Sequence, residues 1–464
     1  MISITLNKQI VLKSEELPPS ILKQLKEDLI IDNPKYLEAQ RNGRFTQGIA
    51  KRIELLKKKD NLYTLPRGYF YKLIELVKKK DYYCVFDEQL TAPSFPMKFK
   101  GELKRDQLRG GLLVLEKDYG VLKAPTGSGK TVIALWTMAK RGVTTLIVVH
   151  TKELMYQWKD KISQFLEIPE RRIGLLGDGH GEVMGITVGI INTLAKMDIK
   201  TPIGCVIVDE CHRVPATTFS KVVERLNTKY LLGLTATDCR SDGLDALIYH
   251  HMGDLAHEIK TKNLQENGRI LKPELRVIKT NFSFYMRSVY QRHAMLKKLI
   301  ADTDRNELIV REVKKQVAEH PNGIALIISD RVGHCLELQQ MLDGSALLTG
   351  STKSKVRREI IEKLQRGEGN TLIATGQLIG EGFDLPSLSS IFLTMPIKFS
   401  GRLQQYIGRI VRVEEGKEKA VVYDFNDGCW LLQHSLKSRM EHYREMGIMP
   451  ATLGEHQRGA PNKK

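Results

Sequence analysis

The run Ala124-Pro125-Thr126-Gly127-Ser128-Gly129-Lys130-Thr131 constrains this chain more than any other feature of its sequence. It lies between an apolar stretch, Gly120–Lys123, and a segment of helical periodicity beginning near Thr131. A strand that turns through glycines into a helix points backbone N–H groups inward, with the positive end of the helix behind them. That arrangement suits the β-phosphate of a nucleotide. Lys130 is expected to reach the β- and γ-oxygens, and the Thr131 hydroxyl to ligate Mg2+. A glycine turn that merely joins strand to helix is the plain alternative, and the strand–loop–helix context disfavours it.

A second apolar run, Cys205–Val208, delivers Asp209-Glu210-Cys211-His212 at its carboxyl end, where α/β sheets place their ligands. Adjacent carboxylates there can divide the labour. Asp209 can hold Mg2+ through water while Glu210 polarises the water that attacks the γ-phosphate. His212 is expected to couple the nucleotide site to Thr235-Ala236-Thr237.

Loop and carboxylates belong to a longer pattern. From about residue 101 to 260, strand-like runs at Thr145–Val149, Ile186–Ile191, Cys205–Val208 and Tyr230–Leu234 alternate with amphipathic helices. Such alternation predicts βαβ units and a parallel sheet covered on both faces. After a polar connector, Lys260–Pro273, the pattern resumes at Ile324–Ser329, Ala346–Leu348, Thr371–Ala374, Ile391–Leu393 and Ala420–Phe425, without a second glycine loop. Residues 1–95 mix strand-like pieces (Ile2–Leu6, Tyr82–Phe86) with helical ones (Ser20–Ile30, Tyr69–Lys80) and end at Ala92-Pro93-Ser94-Phe95-Pro96. The expected domains are therefore 1–95, 101–260 and 274–430, with a C-terminal extension over 431–464. A chain of 464 residues calls for two or three.

Charge narrows the partners. Lys and Arg number 72 against 54 acidic residues, a formal charge of +18, which favours a polyanion whose counterions are released on binding. Residues 1–100 hold 19 basic and 12 acidic residues, so the surplus is spread along the chain. Six cysteines without a CxxC pair argue against a disulfide framework or a zinc site and suit a reducing, cytoplasmic location. No apolar run reaches the roughly 18 residues a membrane span needs. The opening MISITLNKQIVLKSEEL lacks the apolar core and cleavage site of a secretion signal.

The glycine loop, the Asp-Glu-Cys-His box and Leu234-Thr235-Ala236-Thr237 resemble helicase motifs I, II and III, in order. Thr375-Gly376-Gln377-Leu378-Ile379-Gly380-Glu381-Gly382-Phe383-Asp384 resembles motif V, and Gln405-Tyr406-Ile407-Gly408-Arg409-Ile410-Val411-Arg412 resembles motif VI. Upstream, Leu103-Lys104-Arg105-Asp106-Gln107 resembles the segment whose glutamine reads adenine. Val149-His150-Thr151-Lys152-Glu153-Leu154, with Gln157-Trp158, is similar to motif Ia. Over about residues 101–430 the chain thus resembles the superfamily 2 helicases. The resemblance implies an α/β fold of two tandem RecA-like parallel-sheet motor domains, preceded by a small α+β N-terminal domain, with ATP and Mg2+ as cofactors. It assigns Gln107 and Asp384 to nucleotide binding and places Gln405 near the attacking water or γ-phosphate. Arg409 and Arg412, expected on one helical face, become the arginine fingers, so hydrolysis is expected to require closure of the two domains. Thr151, Lys152, Thr193, Thr349, Ser351 and Thr375 fall where family members touch phosphates without reading sequence, although cap and turn roles compete for the hydroxyls. Trp158 reads as core.

Asp-Glu-Cys-His in motif II, with Gly-Glu-Gly-Phe-Asp in motif V, is closer to the branch that handles duplex or branched DNA: UvsW-like phage helicases, XPB repair helicases, RecG and restriction-enzyme motors. Asn42-Gly43-Arg44-Phe45-Thr46 and Leu65-Pro66-Arg67-Gly68 look like parts of the UvsW-like accessory domain, whereas Arg240-Ser241-Asp242-Gly243 is only loosely similar to the Arg-Glu-Asp element of XPB. The expected protein is a monomeric ATP-dependent helicase or translocase on single-stranded, forked or branched DNA. A duplex translocase that does not unwind, and a helicase of RNA or R-loops, share the same motifs. A binding protein with a dead motor would need a broken Lys130, Glu210 or Arg409, and all three are intact.

Overall fold

The computed structural model describes residues 1–450 apart from 215–217, 219–220, 238–239, 241–242, 381–382, 384 and 398–399. The chain forms two compact units, one built from Met1–Pro125 and Gly129–Ile259 and one from Thr126–Ser128 together with the chain from Lys260.

An eight-stranded sheet organises the first unit. Its order is His180–Gly181, Ile173–Gly177, Ile186–Ile190, Thr145–Val149, Cys205–Val208, Tyr230–Thr235, Tyr119–Lys123 and Leu255–Glu258, parallel throughout except at the His180–Gly181 edge. Every residue of Thr145–Val149 and Cys205–Val208 is buried, because helices cover both faces of a parallel sheet. That is why these strands read as unbroken apolar runs. Ile173–Gly177 does not read so, since glycines interrupt it. At Gly174 a Cβ would lie 2.6 Å from the Glu182 carbonyl oxygen, so the close approach of backbone, rather than propensity, selects the residue.

The leading residues build a five-stranded sheet, ordered Lys57–Lys59, Leu62–Leu65, Ile10–Lys13, Ile2–Leu6 and Cys84–Glu88. Helices Pro19–Leu29 and Phe70–Lys79 bury Ile21, Leu25, Leu29, Leu73 and Val77 in its core. In place of the separate leading domain expected from composition, this core extends to Leu244 and Leu247 of the same unit. Arg67 seals the join. It is buried, and its guanidinium donates to the carbonyls of Leu226 (3.2 Å) and Thr228. Burial pulls its pKa down to about 10, and the Tyr119 ring stands 5.9 Å from its charge. Beside it, a Cβ on Gly68 would lie 2.5 Å from the Gly253 nitrogen. The Leu65-Pro66-Arg67-Gly68 segment is therefore a structural lock, and cutting the chain near Ser94 would strip the cover from Leu244 and Leu247.

The second unit carries a six-stranded, wholly parallel sheet: Glu274–Ser283, Val421–Gly428, Leu388–Leu393, Ile324–Ser329, Thr371–Thr375 and Ala346–Leu348. The edge strand Glu274–Ser283 escapes pattern reading because half-buried Arg276 and exposed Lys279 break its apolar sequence. Inside the expected polar connector lies a short helix, Thr261–Glu266. Beyond the last strand the expected C-terminal extension opens with a helix, Trp430–Glu445. Helix Trp430–Glu445 is tied to the sheet by a two-point bond from Arg439 to Asp424, at 2.7 Å each, and by the Tyr443 hydroxyl, which donates to Asp424 at 2.9 Å. Among the described residues no helix is long and apolar enough to cross a membrane.

Candidate nucleotide and nucleic-acid site

Within each unit the candidate residues collect at the carboxyl ends of the parallel strands, where an α/β sheet leaves its loops free to bind. In the first unit the glycine loop follows Tyr119–Lys123, Thr151 follows Thr145–Val149, Thr193 follows Ile186–Ile190, Asp209 follows Cys205–Val208, and Thr235 ends its own strand. In the second, Thr349 follows Ala346–Leu348 and Thr375 closes Thr371–Thr375.

Gly127 and Gly129 both take φ of +87°, the left-handed region that glycine tolerates, and helix Lys130–Arg141 starts directly after Gly129. The side chain of Gln107 lies against Gly129 so closely that a Cβ there would collide with its amide nitrogen. Its oxygen accepts from the Lys104 N–H at 3.0 Å, which fixes the amide's orientation at the start of helix Arg105–Leu115. The Lys130 ammonium donates to the Ala124 carbonyl at 2.9 Å and stands 3.8 Å from Glu210 Oε1.

The two carboxylates differ in setting. Asp209 accepts the Trp158 indole N–H at 2.8 Å on Oδ2 and the Glu210 N–H at 3.0 Å on Oδ1. Glu210 holds φ +48° and ψ 50°, a conformation that costs a residue with a side chain energy and that clusters at functional sites. Burial raises the Asp209 carboxyl, and the charge of Glu210 raises it further. Burial would raise Glu210 too, but Lys130, His212, Arg213 and His150 together hold it well below the usual carboxylate range. Glu210 is thus held as an anion. Its Oε2 is buried and accepts no hydrogen bond among the described residues.

His212 carries the site onward. Burial lowers its pKa to about 4, so the ring is neutral at physiological pH. Its Nδ1 lies 2.9 Å from Thr235 Oγ1 and 3.4 Å from Glu210 Oε2. The Thr235 hydroxyl donates to the Thr237 carbonyl, so we assign Nδ1 the proton and Thr235 the accepting role. The Thr237 N–H returns to Thr235 Oγ1 at 3.2 Å. His212, Thr235 and Thr237 therefore form one hydrogen-bonded chain, with Glu210 Oε2 beside its histidine.

Trp158 lies in the core, 2% exposed, and we propose that its bond to Asp209, which its sequence context did not reveal, positions that carboxylate. The available signal was general: a buried indole N–H needs an acceptor. Trp158→Phe keeps the ring and removes the donor. ATP hydrolysis should fall about 10- to 100-fold, the usual effect of losing an orienting partner. Cooperative melting should persist, and wild-type turnover in a folded variant would refute the role.

In the second unit, Gln405 is buried on helix Ser400–Ile410 with Arg409 one turn further on. That helix stops at Ile410, and Arg412 pairs with Ile270 in an antiparallel bridge, so the two arginines do not share a helical face as expected. Asp384 lies outside the described residues. Several hydroxyls have local duties. Thr151 caps helix Lys152–Phe165 by accepting the Leu154 N–H at 3.3 Å, and Thr349 Oγ1 pairs with Ser351 Oγ at 2.8 Å. Lys152 stands 3.9 Å from Asp178.

The donor set fits a nucleoside triphosphate: turned glycines, a lysine at a helix start and a buried anion with a bare oxygen. Among the described residues no cluster of three or more His, Cys, Asp or Glu makes a ready metal cage. Asp209 with Thr131 would hold Mg2+ in company with phosphate oxygens and water, as this ion prefers.

Fold and site define a nucleoside triphosphatase of two RecA-like units. Residues 98–240 match the family described as "Type III restriction enzyme, res subunit", and residues 305–414 match the "Helicase conserved C-terminal domain". The 161L protein of Invertebrate iridescent virus 6, a candidate helicase by its name, is 28% identical over 384 residues, covering 76% of this chain and 84% of that one. DNA 3'-5' helicase XPB of Mycobacterium tuberculosis is 27% identical over 317 residues, or 66% of this chain. The chain spans 57% of that relative's length. The solved structure of S. cerevisiae Dbp5 bound to RNA and ADP BeF3 shares the fold, with a TM-score of 0.55 and 15% identity over 81% of this chain and 91% of that one. The chain belongs to the superfamily 2 helicases, ATP-dependent enzymes.

Proposed function

We propose that the protein is a DNA motor that acts on forked or branched DNA, separating strands or migrating junctions during replication, recombination or repair. The observation that carries the choice of substrate is the edge strand Lys57–Lys59, three consecutive lysines that are all exposed. It borders a leading region in which loop residues 42–45 are all exposed, with Arg44 and Phe45 in solvent. The likeness to DNA 3'-5' helicase XPB supports DNA as the substrate, as does the Asp-Glu-Cys-His motif.

At the nucleotide, Lys130 neutralises the β- and γ-phosphate oxygens and Glu210 orients and polarises the attacking water. Asp209 is held in place for this by the Trp158 N–H. Mg2+ bound beside Asp209 and Thr131 would supply charge neutralisation on the phosphates. The chain from Glu210 through His212 to Thr235 and Thr237 relays the state of the nucleotide to the strand-end loop. Gln107 holds the adenine side of the cradle, and Arg409 acts on charge that develops in the transition state.

The test compares the intact chain with a triple variant, Lys57→Ala, Lys58→Ala and Lys59→Ala, on forked, linear duplex and single-stranded DNA and on RNA. Forks should bind and unwind best. The triple variant should lose fork preference, and its dependence of log K on log salt should flatten by about 1 for each phosphate contact removed. An unchanged slope and unchanged fork preference would take the leading region out of substrate choice. ATP hydrolysis without strand displacement on any substrate would leave a translocase.

A further inference from the structure

We propose that Tyr285 and Tyr290 form a stacking platform for unpaired bases of a single strand, set on the carboxyl edge of the second unit's sheet. The platform presupposes the nucleic-acid motor and adds to it a site that none of the helicase motifs contains. Residues 279–301 carry five basic residues, Lys279, Arg287, Arg292, Lys297 and Lys298, and not one carboxylate. In the middle of that stretch Tyr285 is 84% exposed and Tyr290 91% exposed. Single exposed apolar residues are ordinary on a protein surface. Two exposed rings five residues apart, in a stretch free of carboxylates, are not scattered.

The loop is held, not trailing. Between the two tyrosines Met286 is buried among Phe282, Met295, Leu299 and Leu432, and its backbone carbonyl accepts the Trp430 indole N–H at 3.3 Å. The Arg287 N–H donates to the Gln291 side chain at 2.8 Å. Trp430 is itself half exposed, so a third ring borders the same patch. A pinned backbone that keeps tyrosines in water has already met the ordering cost of binding, and aromatic faces with nearby arginines take any base without reading sequence. Exposed Arg287, Lys297 and Lys298 supply the phosphate partners.

Position agrees with the chemistry. Tyr285 lies two residues past the end of strand Glu274–Ser283, at one edge of the sheet, while Thr349 and Ser351 follow Ala346–Leu348 at the opposite edge. The strands run parallel, so both lie at the carboxyl side, separated by five strand spacings, or about 24 Å. A strand whose phosphates pass Thr375 and Thr349 would reach the tyrosines at its far end.

The test uses the full chain, fluorescent oligonucleotides of one sequence as DNA and as RNA, and a 2-aminopurine reporter whose emission falls on stacking. Tyr285→Ala and Tyr290→Ala should each weaken single-strand affinity at least about fivefold. They should abolish the quench and leave the salt slope unaltered, since no phosphate contact is removed. Tyr285→Phe and Tyr290→Phe should restore both affinity and quench. Alanine variants that bind and quench like the wild type would overturn the platform, as would phenylalanine variants as weak as the alanine ones. If the wild type binds neither oligonucleotide, the motor reading fails along with it. Binding by the wild type that ignores the tyrosines defeats the platform alone.

Discussion

Glu210→Gln is expected to bind ATP nearly as well as the wild type and to hydrolyse it on the order of 10³-fold more slowly, or worse. The substitution preserves shape and removes the anion that the site is built to hold. Lys130 at 3.8 Å keeps its bond to the Ala124 carbonyl, so the phosphate cradle stays formed. His212 loses a neighbour that favours its protonated form, since the charge of Glu210 raises its pKa. The ring therefore remains neutral, and its bond to Thr235 survives. A loss confined to kcat, with ATP affinity and melting little changed, would mark Glu210 as the group that polarises water. Near-normal turnover by a folded Glu210→Gln protein would end that assignment.

Arg409→Ala should act differently. We propose that this side chain works on charge that appears only as the γ-phosphate leaves, and an arginine in that role contributes about 10³- to 10⁵-fold to turnover. Diphosphate affinity should be almost unchanged while kcat collapses, because binding in the ground state does not draw on the arginine. Parallel loss of diphosphate binding and turnover would instead make helix Ser400–Ile410 a structural support. Arg412 stands apart from this expectation. With its backbone bridged to Ile270 beyond the helix end, it cannot be treated as a second copy of Arg409.

The core of both sheets was legible because strands buried on two faces must be apolar along their length. Cys205–Val208 and Ile324–Ser329 begin and end where the sequence places them. Two of the edge strands were not. Glu274–Ser283 and Leu255–Glu258 bury only part of their surface, so charged residues interrupt them and no clean period survives. The site divides along the same line. The placement of Ala124–Thr131 and Asp209–His212 behind their strands could be read from local spacing. Partnerships made across the fold could not. The Trp158 bond to Asp209 joins residues 51 apart in sequence, and nothing beside either one announces the other. Arg67 was hidden for a related reason: nothing in Leu65-Pro66-Arg67-Gly68 shows that the arginine satisfies two carbonyls in the join between the leading sheet and the rest of its unit. The polar chain from His212 to Thr237 was visible as a pairing of motifs, but its proton arrangement depends on the burial that keeps His212 neutral.

We propose that nucleic acid drives hydrolysis at Lys130 and Glu210, and the steady-state ATPase rate of the intact chain with and without single-stranded and forked DNA is the most direct measure of it. A slow basal rate that rises steeply with either DNA, and saturates as the DNA does, is the predicted result. Turnover that is the same with and without nucleic acid would contradict it.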